Sequence, residues 1–173
     1  MKIVVLCGGD SPERKISLVS GNSVAKALSK KYTVFKIDPK GKGFLKKLLK
    51  INPDCVFVAL HGGNGENGVI QGFLETLGIP YTGSGVSASA VCMNKILTKK
   101  ILYSSGIPTA EFIPVEKNKI PRVPFEYPCV VKPANLGSTV GISIVNNEKN
   151  LKKAIRYAYK LDTEVFIEKF IKG

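Results

Sequence analysis

Histidine, tryptophan and acidic side chains are scarce in this sequence. Its 173 residues include one histidine, no tryptophan, and 13 acidic residues against 26 basic ones. No apolar run approaches the roughly 20 residues that a membrane helix requires. The first apolar stretch ends at Gly8-Gly9 and is too short for the core of a signal peptide. We therefore expect a cytoplasmic protein without a membrane segment.

Cysteine chemistry also finds little support. The chain has four cysteines, which lie far apart and form no C-x-x-C pair. With a single histidine beside them, the sequence offers neither a zinc site nor a redox motif. We interpret all four as structural, reduced thiols.

The formal net charge of +13 admits two interpretations. One is a protein that binds nucleic acid or an anionic membrane. The other is a lysine-rich surface in contact with water. The lysines are scattered in pairs such as Lys46-Lys47 and Lys99-Lys100, and no basic stripe is interleaved with aromatic residues. This pattern favours the solvated surface, so we expect no nucleic-acid partner.

Strand and helix patterns alternate over the first part of the chain. Apolar, β-branched runs from Lys2 to Cys7, Thr33 to Asp38 and Cys55 to Leu60 alternate with helical stripes such as Ile16 to Leu28. This alternation predicts an α/β domain with a doubly wound parallel sheet. We place its end at residue 95.

The pattern changes in residues 96–173. A single helix is predicted from Ala88 to Ser104, and strands follow at 110–115, 128–132, 140–145 and 164–170. Residues 116–128 have the polar, proline-rich composition of a surface loop, and a helix is predicted from Leu151 to Leu161. The arrangement predicts an α+β unit with an antiparallel sheet.

The first candidate site follows the first strand, in the segment Gly8-Gly9-Asp10-Ser11-Pro12-Glu13-Arg14. Ligands of open parallel sheets bind beyond the carboxyl ends of the strands, where this loop falls. Glu13 has two interpretations. It is a carboxylate favoured by the dipole of the first helical turn, or it binds a cationic group such as a substrate ammonium.

The second candidate site is the glycine-rich loop that begins at His61, after the third strand. Four glycines within seven residues indicate a backbone that closely approaches another group. His61 is either a structural histidine or a site residue on the same sheet edge as Glu13.

The third candidate site is the most specific. Lys132 lies in an apolar strand and is followed by Gly137-Ser138-Thr139 and then by another strand. A lysine next to a loop of small residues suits phosphate binding, because loop N–H groups and hydroxyls add short hydrogen bonds to its charge. A plain β-hairpin is the alternative, and the lysine within an apolar strand argues against it.

These segments together resemble the D-alanine–D-alanine ligases of the ATP-grasp superfamily. Five motifs carry the resemblance and occur in the family's order: Gly8-Gly9-x-Ser11-x-Glu13-Arg14; Ala59-Leu60-His61-Gly62; Gly78 to Ala90 leading to Met93-x-Lys95; Val131-Lys132-Pro133 with Gly137-Ser138; and Ile167-Glu168-Lys169. The resemblance implies that residues 1–95 form an α/β substrate-binding domain that precedes the ATP-grasp fold. It also implies that residues 96–173 form the first ATP-grasp lobe.

The resemblance also implies roles for individual residues. Glu13 and Ser138 would act in catalysis, and Glu13, Ser17 and His61 would bind the first D-alanine. The ATP contacts would come from Lys95, Lys132, Gly137, Ser138, Thr139, Glu168, Lys169 and Ile171. The implied reaction passes through an acyl phosphate, which the amine of a second D-alanine attacks.

The family's remaining parts find no match in this sequence. These are the second ATP-grasp lobe, the carboxylates that bind Mg²⁺ or Mn²⁺, and the arginine that stabilises the oxyanion. We therefore expect an N-terminal portion of a homodimeric ligase of cell-wall synthesis that is inactive by itself. The alternatives are another ATP-grasp ligase of a different acid and amine, or a non-catalytic fragment that binds a nucleotide or an amino acid.

Overall fold

The computed structural model describes residues 1–173 and divides the chain into two compact units, Met1–Ala90 and Val91–Gly173. The division falls within the helix Val86–Met93. None of the helices is both long and apolar enough to span a membrane.

The first unit is built around a three-stranded parallel sheet. Its elements are β1 (Lys2–Leu6), α1 (Arg14–Leu28), β2 (Thr33–Ile37), α2 (Phe44–Ile51), β3 (Cys55–Val58), a 3-10 turn (Gly63–Gly65), α3 (Val69–Thr76) and α4 (Val86–Met93). The strand order is β2-β1-β3, and both neighbours of β1 run parallel to it. The predicted parallel sheet is therefore confirmed.

Helices cover both faces of this sheet, and the central strand β1 is apolar on both sides. Val4 and Leu6 pack with Leu48 of α2 and Leu74 of α3. Val5 and Cys7, which follows two residues later, pack on the opposite face, where α1 contributes Leu18, Val24, Ala25 and Leu28. Helices on both faces confirm the doubly wound architecture.

One glycine decides how closely α1 approaches the sheet. A Cβ atom at Gly21 would lie 2.3 Å from the Cβ atom of Cys7. Only a residue without a side chain fits at this crossing. Gly21 therefore has a packing role in the middle of a helix, where glycine ordinarily costs about 1 kcal/mol.

The second unit contains a four-stranded antiparallel sheet. Its elements are α5 (Lys95–Ser104), β4 (Phe112–Val115), β5 (Cys129–Pro133), β6 (Ser143–Val145), α6 (Glu148–Tyr159) and β7 (Val165–Lys169). The strand order is β4-β7-β5-β6, and every pairing is antiparallel. The predicted α+β unit is confirmed.

The core of the second unit lies between the sheet and α6. Leu151 and Ile155 of α6 pack against strand residues that include Val131 and Ile167. The segment 116–128 has no regular secondary structure, as predicted for a loop. It is more than a surface loop, however, because Val123, Phe125 and Tyr127 are half-buried against this core.

The single helix predicted from Ala88 to Ser104 is wrong. Asn94 interrupts it with extended backbone angles (φ −88°, ψ 104°), and its side chain accepts a hydrogen bond from the Leu97 N–H at 3.0 Å. An asparagine in this conformation caps a new helix, so α4 ends at Met93 and α5 begins at Lys95.

The strand predicted at 140–145 is also shorter than expected. Left-handed backbone at Thr139 is followed by a turn, in which the Ile142 N–H donates to the Thr139 carbonyl oxygen at 3.2 Å. The backbone becomes extended only at Ser143, and β6 ends at Val145.

The four cysteines are all free thiols and differ in burial. Cys7 and Cys129 are buried, Cys55 is half-buried, and Cys92 on α4 is exposed.

Candidate functional site

In the first unit, the candidate residues gather where the parallel strands end. The loop Gly8-Gly9 follows β1, Asp38 follows β2, and His61-Gly62 comes after β3. Since the carboxyl ends of parallel strands share one sheet edge, these loops lie side by side. The contacts among them define the site.

Ser17 ties two of these loops together from inside α1. Its hydroxyl accepts a hydrogen bond from the Gly8 N–H at 2.8 Å and donates to the Ala59 carbonyl oxygen at 2.7 Å. The residue is completely buried. Its described contacts are those of a residue that holds the loops in place, and substrate contact by Ser17 stays a prediction.

Arg14 and Asp38 form an ion pair that the sequence analysis did not anticipate. The guanidinium lies 2.6 Å from the Asp38 carboxylate and also donates to the Gly9 carbonyl oxygen at 2.6 Å. The Gly9 N–H donates back to Asp38 at 3.0 Å. Together these bonds fix the glycine loop against the end of β2.

The carboxylate of Asp38 is stabilised in its charged form. Partial burial raises its pKa, but the hydrogen bonds from Arg14 and from the Gly9 and Lys40 N–H groups outweigh that effect and leave the pKa below its ordinary value. The site is therefore assembled around an ionised carboxylate at neutral pH.

His61 is oriented by contacts at both ring nitrogens. Nε2 shares a 3.0 Å hydrogen bond with the hydroxyl of Ser20 on α1, and the Glu66 carboxylate lies 3.7 Å from Nδ1. The His61 carbonyl oxygen accepts a 2.5 Å hydrogen bond from Ser11. His61 therefore links the two loops, with its ring about one-third exposed.

Glu13 is the residue immediately before α1, and its side chain lies directly against the His61 loop. A Cβ atom at Gly62 would be only 2.6 Å from Oε2 of Glu13. Gly62 also has a positive φ of 66°. The glycine makes room for the carboxylate, so the structure brings Glu13 and His61 into one cluster.

A cavity of about 260 Å³ adjoins this cluster on the face of the sheet that α2 and α3 cover. It shares Ser11, His61 and Gly62 with the cluster and is closed on its apolar side by Phe44 and Phe73. A volume of this size admits a small molecule rather than a polymer.

In the second unit, Lys95 begins α5 next to the predicted phosphate loop. Its ammonium donates to the carbonyl oxygens of Leu136 at 2.5 Å and Ala134 at 3.3 Å. Burial lowers its pKa, nearby Asp162 opposes the shift, and the charge of Lys132 adds to it. Lys95 is thus a half-buried cation held at the base of the loop.

A hydrogen-bonded network fixes the same loop base. Asn94 donates to the Glu164 carboxylate at 2.7 Å, and the side-chain amide of Asn135 reaches the same group at 3.3 Å. The Asn135 N–H and side chain also donate to Asp162, at 2.7 and 3.1 Å. These residues were missed by the sequence analysis because their contacts join segments up to 70 positions apart.

Lys132 on β5 and Glu168 on β7 are diagonal neighbours on one face of the sheet, because the register pairs Lys132 with Phe166 and Val130 with Glu168. Lys132 is bonded to one carboxylate oxygen of Glu168, and the ammonium of Lys99 lies 2.6 Å from the other. Burial raises the pKa of Glu168, but the two lysines outweigh it and keep the pKa below its ordinary value. The expectation that Lys99 lies on the surface is wrong, because only 7% of the residue is exposed.

The loop between β5 and β6 has an unusual backbone. Ser138 and Thr139 both adopt positive φ, at 50° and 61°. Consecutive non-glycine residues in this region are uncommon and strained, and such strain clusters at binding sites. Gly137, Ser138 and Thr139 form one exposed turn, which is closed by the Val140 N–H donating to Gly137 at 3.1 Å.

The last two candidates lie apart from these contacts. Lys169 points away from Glu168 and pairs with the exposed Glu111 carboxylate at 2.6 Å, with its own side chain 44% exposed. Ile171 lies beyond β7 and is 64% exposed. Their predicted adenine contacts therefore stay predictions.

The structure contains no group of three or more His, Cys, Asp or Glu side chains that could hold a metal ion.

Two family models match the chain. The model for the N-terminus of D-Ala–D-Ala ligase matches residues 42–84, and the model for its C-terminus matches residues 101–173.

Curated relatives match the chain over its whole length. A D-alanine–D-alanine ligase from Gloeobacter violaceus is 45% identical over 180 residues, which cover 100% of this chain and 59% of that relative. One from Carboxydothermus hydrogenoformans is 43% identical, with 58% of its length covered.

The chain is also similar to solved structures of D-alanine–D-alanine ligases. The D-alanine–D-alanine ligase of Bacillus anthracis superimposes with a TM-score of 0.89 at 39% identity, over 100% of this chain and 58% of that one. A structure of the same enzyme complexed with ATP gives 0.88 at 38% identity, over 60% of its chain.

A parallel α/β unit followed by an antiparallel unit with a lysine-bearing strand and a small-residue loop defines the N-terminal region of an ATP-grasp protein. The chain spans just under three-fifths of the length of the curated relatives it matches. It belongs to the D-alanine–D-alanine ligase family.

Proposed function

We propose that this chain supplies the N-terminal part of an ATP-dependent ligase that joins two D-alanines for cell-wall synthesis. The observation that carries the proposal is the position of Glu13. Its carboxylate is packed against the His61-Gly62 loop at the carboxyl edge of the sheet, next to a cavity of amino-acid size.

In this proposal, the first unit binds the first D-alanine. Glu13 offers a negative charge to the substrate ammonium, and His61 lies in the same cluster with its ring held by Ser20. Ser17 and the Arg14–Asp38 pair keep the surrounding loops rigid. Such fixed geometry contributes to catalysis by positioning the substrate before reaction.

The second unit would bind ATP. Lys95 and Lys132 supply positive charge for the phosphates, and Gly137, Ser138 and Thr139 supply a loop able to close over them. The relative from Bacillus anthracis, whose structure was determined with ATP, supports this assignment. Neutralisation of phosphate charge by lysines and loop N–H groups is the usual basis of phosphoryl transfer.

Three further expectations belong to the proposal for the whole ligase. Magnesium would assist the phosphoryl transfer, the protein would be a homodimer, and it would act in the cytoplasm, where ATP is available. Light scattering of the purified protein tests the dimer, because a monomer and a dimer differ twofold in mass.

The decisive experiment joins this chain to the part of the Gloeobacter violaceus relative that it does not cover. We expect this chimera to release phosphate from ATP with magnesium and D-alanine, but not with L-alanine. The 173-residue chain alone should release none. Glu13→Gln in the chimera should weaken the response to D-alanine at unchanged ATP binding.

Each outcome has a distinct meaning. A chimera that ignores D-alanine but responds to another amino acid would favour a different ATP-grasp ligase. Phosphate release by the 173-residue chain alone would contradict the proposal that it supplies only the N-terminal part of the ligase.

A further inference from the structure

Lys99 is a lysine buried next to the proposed phosphate-binding residues, and neither the resemblance nor the proposed function assigns it a role. It lies on α5, four residues after Lys95, with 7% of its surface exposed. Lysines are almost never so buried unless they are paired. Its environment therefore requires an explanation.

The ammonium of Lys99 has a complete set of partners. It lies 2.6 Å from Oε1 of Glu168, and it donates to the Thr109 hydroxyl at 2.7 Å and the Ala110 carbonyl oxygen at 2.9 Å. The Phe112 ring lies beneath it, with 5.2 Å between the ammonium nitrogen and the ring centroid. An ammonium has three N–H groups, and three acceptors surround this one.

Glu168 is shared between two lysines. Oε1 faces Lys99, while Oε2 is bonded to Lys132. One carboxylate and two ammonium groups leave a net charge of +1 at this place. Without Lys99, the carboxylate would neutralise Lys132 alone, and the net charge would fall to zero.

We propose that Lys99 preserves the positive charge that Lys132 offers to phosphate. Because Lys99 pairs with Oε1 of Glu168, the carboxylate does not neutralise Lys132 alone. This inference rests on the proposed function, in which Lys132 meets the phosphates of ATP. Lys99 is then a positioning residue, since it acts through Glu168 and does not touch the nucleotide itself. The same contacts also join α5 to the segment before β4, so the test must separate charge from anchoring.

The measured quantity is the ratio of the affinity for ATP to the affinity for adenosine, determined by titration calorimetry. Adenosine lacks phosphates, so the ratio isolates the electrostatic contribution from adenine contacts. It is measured for the 173-residue chain and for the chimera. We expect Lys99→Met to lower the ratio on the order of tenfold, because one charge is lost in a poorly solvated site.

Two variants distinguish charge from anchoring. Lys99→Arg keeps the charge and should retain most of the ratio. The double variant Lys99→Met/Glu168→Gln removes both charges, restores a net charge of +1 through Lys132, and should recover the ratio. Lys100→Met is the matched control, because it removes an exposed lysine one residue away and should leave the ratio unchanged.

The proposal is overturned if Lys99→Met lowers both affinities equally, or if the double variant fails to recover the ratio. Should Lys99→Met fail to fold, Glu168→Gln alone must raise the ratio, and an unchanged ratio would overturn the proposal. A wild-type protein that binds no ATP in either form would instead contradict the proposed function.

Discussion

The hydroxyl of Ser17 donates a 2.7 Å hydrogen bond to the carbonyl oxygen of Ala59, 42 residues further along the chain. The Ser17 hydroxyl oxygen also accepts a hydrogen bond from the Gly8 N–H, so one buried hydroxyl joins the ends of β1 and β3 through α1. The edge that carries the proposed amino-acid site is thus held together by a residue that has no exposed surface.

Ser17→Ala should destabilise the protein by about 1–3 kcal/mol, because two buried backbone groups lose their partner. Urea unfolding of the 173-residue chain measures the loss. Ser23→Ala is the control, since Ser23 lies on the same helix but is exposed. Its effect should stay within about 0.5 kcal/mol. Equal effects of the two substitutions would show that the Ser17 bonds contribute nothing.

Gly62→Ala should displace the Glu13 carboxylate. The added methyl group would lie 2.6 Å from Oε2, and the backbone angles of Gly62 (φ 66°, ψ 169°) cost a residue with a side chain about 1–3 kcal/mol. In the active chimera, we expect a higher KM for D-alanine. Gly63→Ala also places a side chain at positive φ (49°), but its methyl group comes no nearer than 3.7 Å to Ser11. An equal rise in the KM for D-alanine in both variants would show that displacement of the Glu13 carboxylate is not the cause.

Asp38 should make stability depend on pH in the acid range. Its pKa lies below the ordinary value of 3.8 when folded, so the unfolded chain binds the proton more readily. The contribution is complete above about pH 5 and decreases as the pH falls through 3.8 towards the folded pKa. Unfolding curves recorded between pH 7 and 3 should converge for wild type and Asp38→Asn. Asp10→Asn, at an exposed carboxylate in the same region, should run parallel to wild type instead.

Asn94→Ala should destabilise the second unit by about 1–2 kcal/mol, because the cap of α5 and the bond to Glu164 are lost together. Asn147 precedes α6 in the equivalent position but makes no side-chain capping bond. When both variants are compared by thermal unfolding, Asn147→Ala should therefore be nearly neutral. If the two variants melt alike, the capping bond of Asn94 has no energetic weight.

The sequence predicts this fold well where apolar periodicity is strong. The runs that form β1, β2 and β3 are β-branched and continuous, and a buried parallel sheet is what such runs produce. The break at Asn94 could not be seen in the same way, because the residues around it favour helix on both sides and one capping bond decides the boundary.

The candidate site is predicted in part. Glu13, His61 and Lys132 stand out because charged or polar side chains follow or interrupt apolar strands. Lys99 does not, since a lysine in a helix is ordinarily exposed, and only the fold brings Glu168 to it. The Arg14–Asp38 pair is hidden for a related reason, because the partners lie 24 positions apart on different elements.

The unequal burial of the cysteines has a practical consequence at the bench. Burial raises the pKa of the Cys7 and Cys129 thiols, which suppresses the thiolate that reacts with maleimides. Cys92 lies exposed on α4, at the start of the second unit. A fluorescent label should therefore attach at Cys92 first, giving an optical reporter for nucleotide titrations without removal of the native cysteines.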